Sequence, residues 1–413
     1  MTALPGRGAR STRTAFAASI AALAVVGVLG YIGADTLGNS TTGRTAAVAT
    51  AAATTSELPA TATALIGVVD DDGRLTSAAV AVIEPDGTGG TLVALAASAD
   101  VRCGNSDELE PLNAVLRVDG ALAFKEAAER LTALSFDVIE IVDQPRFAQL
   151  VTPLGELPTD LPIAVHDSSS GERWEAGQAV LGPQAAAQLV TAHDDTIADW
   201  YYEPARAAVW AAVADRAGTG EPPDVGAGPP VTLDEFFARL FAGPVVARPL
   251  GFVIPDDERV AMEMAPGLWA AFGPGSIDAV VVHTRSEVLL VFGSIAPARV
   301  GAPLDAVSVR IVADFSDADL AGTNRNRADV IRYAIDRLLY TKVNVVAVAE
   351  LPGSGAPERT TVHITDPALL SGISEFSQLV LGDSDVTVQT VGIAGVDLDI
   401  ELGRAFLALL PPQ

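Results

Sequence analysis

The chain has 413 residues, 49% of them hydrophobic and 19% charged, which is enough for two or more domains with hydrophobic cores. Its formal net charge of -26, from 52 acidic and 26 basic residues, repels nucleic acid and argues against a DNA-binding protein. The single cysteine, Cys103, excludes an internal disulfide and a zinc cluster built on thiolates. None of the four histidines has a partner at a metal-ligand spacing, so we interpret them as structural or solvated side chains.

The N-terminal residues are typical of a membrane anchor. A basic tail, residues 1–14, precedes residues 15–34, "AFAASIAALAVVGVLGYIGA", about 20 uncharged residues that can cross a bilayer core of about 30 Å. The positive-inside rule keeps the tail in the cytoplasm and places everything after the span outside the cell membrane. A cleaved signal peptide is the alternative, although its apolar core is usually only about 7–15 residues. We favour a single transmembrane helix that is not cleaved.

Residues 35–60 read as a flexible linker, because they are rich in Thr, Ala, Ser and Gly and have few large apolar side chains to pack. The preference for Ala, and for Arg over Lys, is typical of high-GC coding. Together with an exterior region that lacks disulfides, this composition fits an actinobacterial envelope protein.

A first folded domain is predicted over residues 61–300. Strands are expected at 80–83 and 92–95, joined by the hairpin turn "PDGTGG". The pattern then predicts a helix over 120–134 and a strand over 137–143. A helix turn is expected in "QPRFAQLVTPLG", and two further helices are expected in "GPQAAAQLVTA" and "EPARAAVWAAVADRA". Alternating strands and helices predict an α/β sandwich.

The end of this domain contains two further elements. "TLDEFFARLFAG" is a short amphipathic helix whose Thr232 and Glu235 have the spacing of a capping box. "DAVVVHTRSEVLLVFGS" is predicted to contain a strand that closes the domain, and "APARVGAP" follows as a linker.

A second, smaller α/β domain is predicted over residues 305–413. The strands are "VSVRIVAD", "KVNVVAVAE", "TTVHI", "DVTVQTV" and "VDLDIEL", and the helices are "GTNRNRADVIRYAIDRLLY" and residues 366–381. The pattern is self-contained, which predicts that this part folds alone. It carries no nucleophile, metal cluster or Gly-rich phosphate loop.

Residues 60–409 resemble the LytR-CpsA-Psr (LCP) family followed by a LytR C-terminal domain. "GRLTSAAVAVIEPDG" is similar to the family's opening strand and turn, and "LNAVLRVDGALAFKEAAERLTALSFDVIEIVDQPRFAQLVTPLGELPTDLPIAV" is similar to its central run. "GQAVLGPQAAAQLV", "EPARAAVWAAV" and the terminal "VDLDIELGRAF" follow in the family's order. The resemblance implies an LCP-like α/β/α sandwich and then a small LytR C-terminal-like α/β domain.

The resemblance also implies a chemistry. LCP enzymes transfer a polymer from a polyprenyl-pyrophosphate carrier to a cell-wall acceptor. Arginines bind the pyrophosphate, since guanidinium groups bond phosphate oxygens bidentately. Acidic residues hold Mg²⁺, which neutralises charge on the transferring group. The family's reaction therefore needs several arginines and acids at one end of the sheet.

The first half of this chain keeps little of that set. Arg74 matches the family's first arginine, but Thr76 stands where the family has an acid. The family's "S-I-P-R-D" falls on "TLVALAASADVR", so Ala97 or Ala99 replaces its arginine, depending on one short gap. Asp100 matches the acid of this motif in the second alignment.

The second half also departs from the family. The two arginines expected after the "Q-A-L" helix fall near Val190 and Ala192. In the family's "R-x-x-R-Q" helix, Glu203 replaces the first arginine, Arg206 matches the second, and Ala207 replaces the glutamine. The resemblance thus leaves Arg74, Asp100, Asn113 and Arg206 as candidate residues for binding a phosphate or lipid, with no catalytic residue and no metal ligand assigned.

Each candidate also has a structural explanation. Arg74 follows the turn "DDDGR" and is then a solvated side chain. Arg206 is then a helix-surface residue that pairs with Glu203 or Asp199. Asn113 is then a turn or cap residue. The small residues after the strand at 92–95 would be the remains of a site that has lost its reactive groups.

Three functions follow from the sequence. We favour a membrane-anchored, extracytoplasmic LCP-like protein of the cell envelope that binds a ligand or partner without catalysis. The alternatives are an active phosphotransferase, which would use Mg²⁺, and a structural envelope scaffold. The expected partners are the membrane, a polyprenyl-phosphate lipid or cell-wall polymer and, through the C-terminal domain, a protein; nucleic acid is not among them. No cofactor is expected unless the enzyme is active.

Overall fold

The computed structural model describes residues 55–103, 109–194, 197–218, 229–253, 280–301, 307–341 and 343–411. The predicted basic tail, the apolar span and the linker up to residue 54 lie outside these ranges and stay predictions. Within the ranges, no helix combines the length and apolarity that a membrane crossing needs.

The described chain begins with a two-residue strand, β1 (Thr55–Ser56). It pairs in parallel with Gly392–Ile393, close to the C-terminus, and the Ala394 N–H donates to the Ser56 carbonyl over 2.8 Å. The last part of the predicted flexible linker is therefore bound to the second unit of the protein. The expectation of a linker over the whole of 35–60 is wrong at this point, because the backbone of residues 55 and 56 finds a strand edge to pair with.

The first sheet has five strands: β2 (Thr63–Val69), β3 (Leu75–Ile83), β4 (Gly90–Leu95), β5 (Val138–Val142) and β10 (Val245–Arg248). Their order across the sheet is β10-β4-β3-β2-β5. The three central strands form an antiparallel meander, and β5 and β10 add to its edges in parallel. The strands predicted at 92–95 and 137–143 are confirmed, and the one predicted at 80–83 is longer than expected.

The side chains of the central strands alternate between two hydrophobic clusters. On β2, Leu65 contributes to one cluster, and Ala64 and Ile66 contribute to the other. Helices cover both faces, namely α1 (Leu112–Thr132) on one and α2 (Gln144–Val151), α3 (Pro183–Thr191), α4 (Glu203–Arg216) and α5 (Leu233–Phe241) on the other. The predicted α/β/α sandwich is confirmed.

Helix α1 begins at Leu112, eight residues before the predicted start at residue 120. The helix is interrupted at residue 120, and the sequence pattern detected only the part after this interruption. Gly120 has φ 81° and ψ -171°, which is not helical. Glycine adopts this positive φ without the steric cost that a side chain would add. The periodic pattern that predicted the helix therefore marks only its second segment. The first segment, from Leu112, brings Asn113 beside the end of β4.

Helix α5 is capped in a way close to the prediction. The Thr232 side chain accepts a hydrogen bond from the Glu235 N–H over 3.2 Å. The Glu235 carboxylate returns a bond to the N–H of Val231 rather than to that of Thr232, over 3.0 Å. The predicted capping box is thus present in its first half only. Two small antiparallel sheets complete this unit: β6 (Leu157–Leu161) pairs with β9 (Gly177–Leu181), and the hairpin of β7 (Val165–His166) and β8 (Arg173–Trp174) lies between them in sequence.

The strand predicted in "DAVVVHTRSEVLLVFGS" is wrong for the residues of this stretch that the structure describes, from Val280 onward. They form isolated bridges at Val281 and Val282 and then a helix, α6 (Arg285–Ile295). Thr284 caps α6 by accepting a hydrogen bond from the Glu287 N–H over 3.3 Å. A short apolar run rich in Val and Leu does not distinguish a strand from a buried helix.

The second unit has a five-stranded sheet: β11 (Ser308–Ala313), β12 (Asn344–Glu350), β13 (Thr360–Ile364), β14 (Ser384–Val388) and β16 (Leu398–Glu401). Its order is β12-β11-β16-β13-β14, and a short strand β15 (Gly392–Ile393) pairs with β1. The helices α7 (Asp317–Leu320), α8 (Arg327–Tyr340) and α9 (Leu370–Leu381) lie between these strands in sequence. The predicted small α/β unit is confirmed.

Helix α6 connects the two units, since its buried residues share one hydrophobic cluster with Leu131 of α1 and Ile335 of α8. Gly293 lies against β12, where a Cβ atom at this position would be 3.4 Å from Val348 Cγ2. The predicted division near residue 300 therefore separates α6, which precedes it, from the second sheet that α6 covers.

Candidate functional site

Arg74 lies at the end of the turn between β2 and β3. The Asp70 carboxylate holds this turn, because its Oδ1 accepts hydrogen bonds from the Arg74 N–H over 2.8 Å and from the Asp72 N–H over 3.0 Å. Burial raises the pKa of Asp70, against the lowering effect of these bonds and of the Arg74 charge. The Arg74 side chain is partly buried rather than solvated, and its Nη1 lies 2.6 Å from His193 Nε2.

The contact with Arg74 determines the tautomer of His193. A guanidinium group only donates, so Nε2 of the imidazole accepts. Nδ1 then carries the hydrogen and donates it to Asp199 Oδ1 over 3.2 Å. His193 therefore bridges the turn of Arg74 and the 3₁₀ turn Asp199–Tyr202, which precedes α4.

Arg206 lies on the first turns of α4 and is buried, with 1% of its side chain exposed. Its Nη2 donates to Asp199 Oδ1 over 3.1 Å and to the Ala192 carbonyl over 3.0 Å. Its Nη1 donates to the Asp199 carbonyl over 3.2 Å and to Glu203 Oε1 over 3.4 Å. The interpretation as a surface residue is wrong, and its expected pairing with Glu203 or Asp199 holds for both. Arg206 binds the protein itself instead of facing solvent.

The pKa values of the two carboxylates beside Arg206, those of Asp199 and Glu203, are shifted in opposite directions. Burial would raise the pKa of Asp199, but the Arg206 charge and the His193 hydrogen bond lower it to about 2. Burial raises the pKa of Glu203 to about 7, and the Arg206 charge and the Ala97 N–H offset only part of that rise. Asp199 is therefore the permanent counter-ion of Arg206, and Glu203 exchanges its proton near neutral pH.

The loop after β4 connects the remaining candidates to this network. The Ala97 N–H donates to Glu203 Oε1 over 3.0 Å, and its carbonyl accepts from the Asn113 N–H over 2.8 Å. Asn113 is buried, and within the described residues its side-chain amide has no hydrogen-bond partner. Its backbone position at the start of α1 agrees with the cap interpretation, but its side chain makes no capping bond.

Asp100 is fully buried on the same loop and has structural contacts. Its Oδ1 accepts from the Glu110 N–H over 3.0 Å, and its own N–H donates to the Val281 carbonyl over 2.8 Å. The structure thus brings all four predicted residues to one end of the first sheet. Only Arg74 among them has a side chain that reaches solvent.

A small cleft of about 310 Å³ lies beside Arg74 and is lined by Asp72, Gly73, Arg74 and Arg117. Arg117 on α1 is a cation that the sequence comparison did not select. Thr76, at the position of the family's acid, is buried and donates its hydroxyl to the Val68 carbonyl over 3.2 Å. Among the described residues, no group of three or more His, Cys, Asp or Glu side chains is arranged to hold a metal ion.

A larger cavity of about 460 Å³ lies between α4 and the β4–β10 edge of the first sheet. Most of its wall is apolar and includes Leu92, Trp210 and Leu250, together with several alanines. Glu203 and His283 also line it. His283 donates from Nδ1 to the Gly251 carbonyl over 2.9 Å, and burial lowers its pKa, so the ring is neutral.

Sequence reasoning did not select His193 or His283, and it named Asp199 only as an alternative partner of Arg206. His193 and Arg74 are 119 positions apart, and only the fold brings them together. The spacing of Glu203 and Arg206, three residues apart on a predicted helix, was the available signal for the buried charge cluster. Nothing in the sequence around His283 distinguishes it from a core histidine.

No protein-family model matches the chain, and no curated protein matches it. Solved structures that are similar include TagV of B. subtilis, with 14% identity, a TM-score of 0.36, and 49% of this chain and 89% of that chain covered. TagT of B. subtilis has 11% identity and a TM-score of 0.35, with 56% and 88% covered.

A third similar structure is described as the LytR-CPS2A-psr family protein YwtF (TagT) with bound octaprenyl pyrophosphate lipid. It has 12% identity and a TM-score of 0.33, with 48% of this chain and 80% of that chain covered. The description of this structure names the family that the sequence motifs resemble.

Proposed function

We propose that this chain is a membrane-anchored, extracytoplasmic LCP-like protein of the cell envelope that binds a ligand without transferring phosphoryl groups. The order of the family's motifs over residues 60–409 supports the assignment to this class, and the α/β/α sandwich agrees with it. The apolar span at 15–34 and its basic flank support the location.

The loss of catalysis rests on one observation, the environment of Arg206. Phosphoryl transfer needs positive charge that reaches the transferring group. The Arg206 guanidinium is buried and already donates to Asp199, to Glu203 and to the Ala192 carbonyl. Glu203, at a position where the family has arginine, adds a carboxylate that repels phosphate. Arg206 therefore serves to hold the fold together.

Positive charge that is less buried than Arg206 lies in the cleft of Arg74 and Arg117. Arg74 is held by Asp70 and His193, and Asp72 lines the same cleft. Nearby carboxylates weaken the attraction for an anion. We expect at most weak binding of a lipid phosphate at this cleft, and no reaction there.

The test is an incubation of the purified full-length chain in detergent with geranylgeranyl pyrophosphate and Mg²⁺. We expect no phosphate release above the no-enzyme control. The matched variants are Arg74→Ala in the cleft and Arg130→Ala on the exposed face of α1. Release that Arg74→Ala abolishes and Arg130→Ala preserves would show that the chain is an active phosphotransferase.

A further inference from the structure

The 460 Å³ cavity has the size and lining of a ligand site. Typical small-molecule pockets have volumes of about 300–1,000 Å³ and mostly apolar walls with a few polar groups. Here the floor is formed by Leu92 and Leu95 of β4 and the roof by Ala207, Ala211 and Trp210 of α4. The alanines on α4 leave space that larger side chains would fill. This cavity is distinct from the cleft of Arg74.

The polar groups of the cavity are mainly hydrogen-bond acceptors. His283 is 1% exposed and neutral, and its Nε2 has no hydrogen-bond partner within the described residues. Since Nδ1 carries the hydrogen, Nε2 can only accept. Glu203 supplies a carboxylate, and a second one, Asp160, lies at the exposed mouth. An unsatisfied buried acceptor is costly, so a donor that reaches His283 is favoured.

Among the described residues, one arginine lines the cavity, and it does not reverse this preference. Arg248 donates from Nη1 to the Ser294 hydroxyl over 3.1 Å and pairs with Glu350 at 3.7 Å. Two carboxylates, a paired guanidinium and a neutral imidazole make the lining unfavourable for a phosphate. They suit a ligand head group that donates hydrogen bonds and is uncharged or positive.

We propose that this cavity binds an amphiphile whose apolar chain lies against Trp210 and Leu92 and whose amine or hydroxyl head group donates hydrogen bonds to Glu203 and His283. The proposal rests on the proposed ligand-binding function and names the class of ligand. The protonated amine is favoured over the alcohol, because Glu203 loses its proton near pH 7 and then attracts a positive charge.

The test uses the full-length chain in lipid nanodiscs, with empty nanodiscs as the blank, and isothermal titration calorimetry. The probes are hexylamine, 1-hexanol and hexyl phosphate, which share one apolar chain. We expect hexylamine to bind more tightly than 1-hexanol, and hexyl phosphate not to enter the cavity. Hexylamine affinity should rise between about pH 6 and about pH 8, as Glu203 ionises.

Paired variants connect the binding to the cavity. Ala207→Leu fills it and should abolish binding of both the amine and the alcohol, whereas Ala121→Leu on the exposed face of α1 should not. Glu203→Gln should weaken hexylamine by about tenfold and 1-hexanol by less than about threefold, with the exposed Glu126→Gln as its control. His283→Phe keeps the ring and removes the acceptor, so it should weaken both probes.

Three results would overturn the proposal: no binding of either donor probe, binding that Ala207→Leu leaves intact, or hexyl phosphate binding that Ala207→Leu removes. None of them involves phosphate release from geranylgeranyl pyrophosphate. A catalytic chain would contradict the proposed function by that release alone, so the two failures can be told apart.

Discussion

Arg206 and Asp199 form an ion pair, with 3.1 Å between Nη2 and Oδ1, in which each side chain is only 1% exposed. Two charges taken out of water in this way depend on each other, because either one alone would be buried without compensation. The pair joins the first turns of α4 to the segment that carries His193. It therefore determines the geometry of the whole end of the sheet.

Removing Arg206 should be strongly destabilising. We expect Arg206→Met to lower the free energy of unfolding by about 3–5 kcal/mol, because Asp199 and Glu203 lose their counter-ion. The control is Arg130→Met, which breaks an exposed pair with Glu110 and should cost at most about 1 kcal/mol. Urea titration followed by tryptophan fluorescence suits this test.

The four tryptophans, Trp174, Trp200, Trp210 and Trp269, all precede residue 300 in sequence, and the three within the described residues, Trp174, Trp200 and Trp210, belong to the first unit, whose unfolding they report. Losses of similar size in Arg206→Met and Arg130→Met would contradict the role of the buried pair.

Glu203 should make the stability of the protein depend on pH in a defined window. Its pKa is about 7 in the folded protein against an ordinary 4.5, so between these values the folded state binds a proton that the unfolded chain releases. The free energy of unfolding therefore falls as pH rises from about 4.5 to about 7 and is level above that. Glu203→Gln keeps an oxygen that accepts from the Ala97 N–H, and it should remove the decrease in the free energy of unfolding between about pH 4.5 and about pH 7.

At pH 8 the Glu203→Gln variant should be more stable than the parent chain, by on the order of 2 to 3 kcal/mol, and at pH 4.5 the two should differ little. Urea titrations at several pH values measure this. Asp199 acts in a separate window, since its lowered pKa contributes stability above about pH 4 that is lost as pH falls towards 2. Equal pH slopes in variant and parent would refute the assignment to Glu203.

The close approach of α6 to β12 can be tested at Gly293. An alanine Cβ would meet Val348 at 3.4 Å, which is ordinary contact, and alanine favours a helix over glycine by about 0.5–1 kcal/mol. Gly293→Ala should therefore leave the thermal midpoint unchanged or raise it. Gly293→Leu should overpack the interface and cost about 1–3 kcal/mol.

The matched control for Gly293→Leu is Gly372→Leu on α9, where a Cβ would meet nothing within 4 Å. Circular dichroism melts of the three variants and the parent give the comparison. If leucine is tolerated at 293 as well as at 372, α6 does not pack on the second sheet as described.

The second unit should need α6 for full stability. A fragment of residues 305–413 keeps its sheet, α8 and α9, but exposes the surface of β12 that α6 covers. We expect a fragment of residues 280–413 to melt at a higher temperature, with dispersed amide signals in its NMR spectrum. Equal melting temperatures for the two fragments would mean that α6 belongs to the first unit alone.

The proposed orientation in the membrane predicts which residues a protease reaches. Protease added to intact spheroplasts should digest the chain beyond residue 35, because the basic residues at 7, 10 and 13 keep the N-terminus inside. Immunoblotting against the C-terminal unit detects the digestion, and a cytoplasmic protein serves as the control. Full protection of that unit would reverse the topology.

The sequence predicted most strands of both sheets because their apolar runs alternate between two buried faces or end at clear turns. It failed at α6, where Val and Leu favoured a strand. The signal that could have corrected this is Thr284 followed three residues later by Glu287, which is the spacing of a helix cap. The break at Gly120 was also invisible, since a lone glycine within a helical pattern is usually tolerated.

The sequence predicted which residues lie at the candidate site but did not predict what each of them does there. The four residues do meet at one end of the sheet, but burial decides what each can do. Arg206 became a structural residue because Asp199 and the Ala192 carbonyl surround it, and those contacts depend on the folding of a loop that no local pattern describes. A buried acceptor without a partner, such as His283 Nε2, can be recognised as a ligand contact only once the structure shows its burial.

The pairing of β1 with β15 limits the distance between the second unit and the membrane. With residues 15–34 across the membrane, residues 35–54 span at most about 70 Å between the bilayer and β1, which is paired with Gly392–Ile393. The second unit, although last in sequence, is thus bound directly to the segment that follows the membrane span. Deleting this unit would remove the pairing with β15, free residues 55–62 and lengthen the segment between the membrane and the first unit by up to about 28 Å.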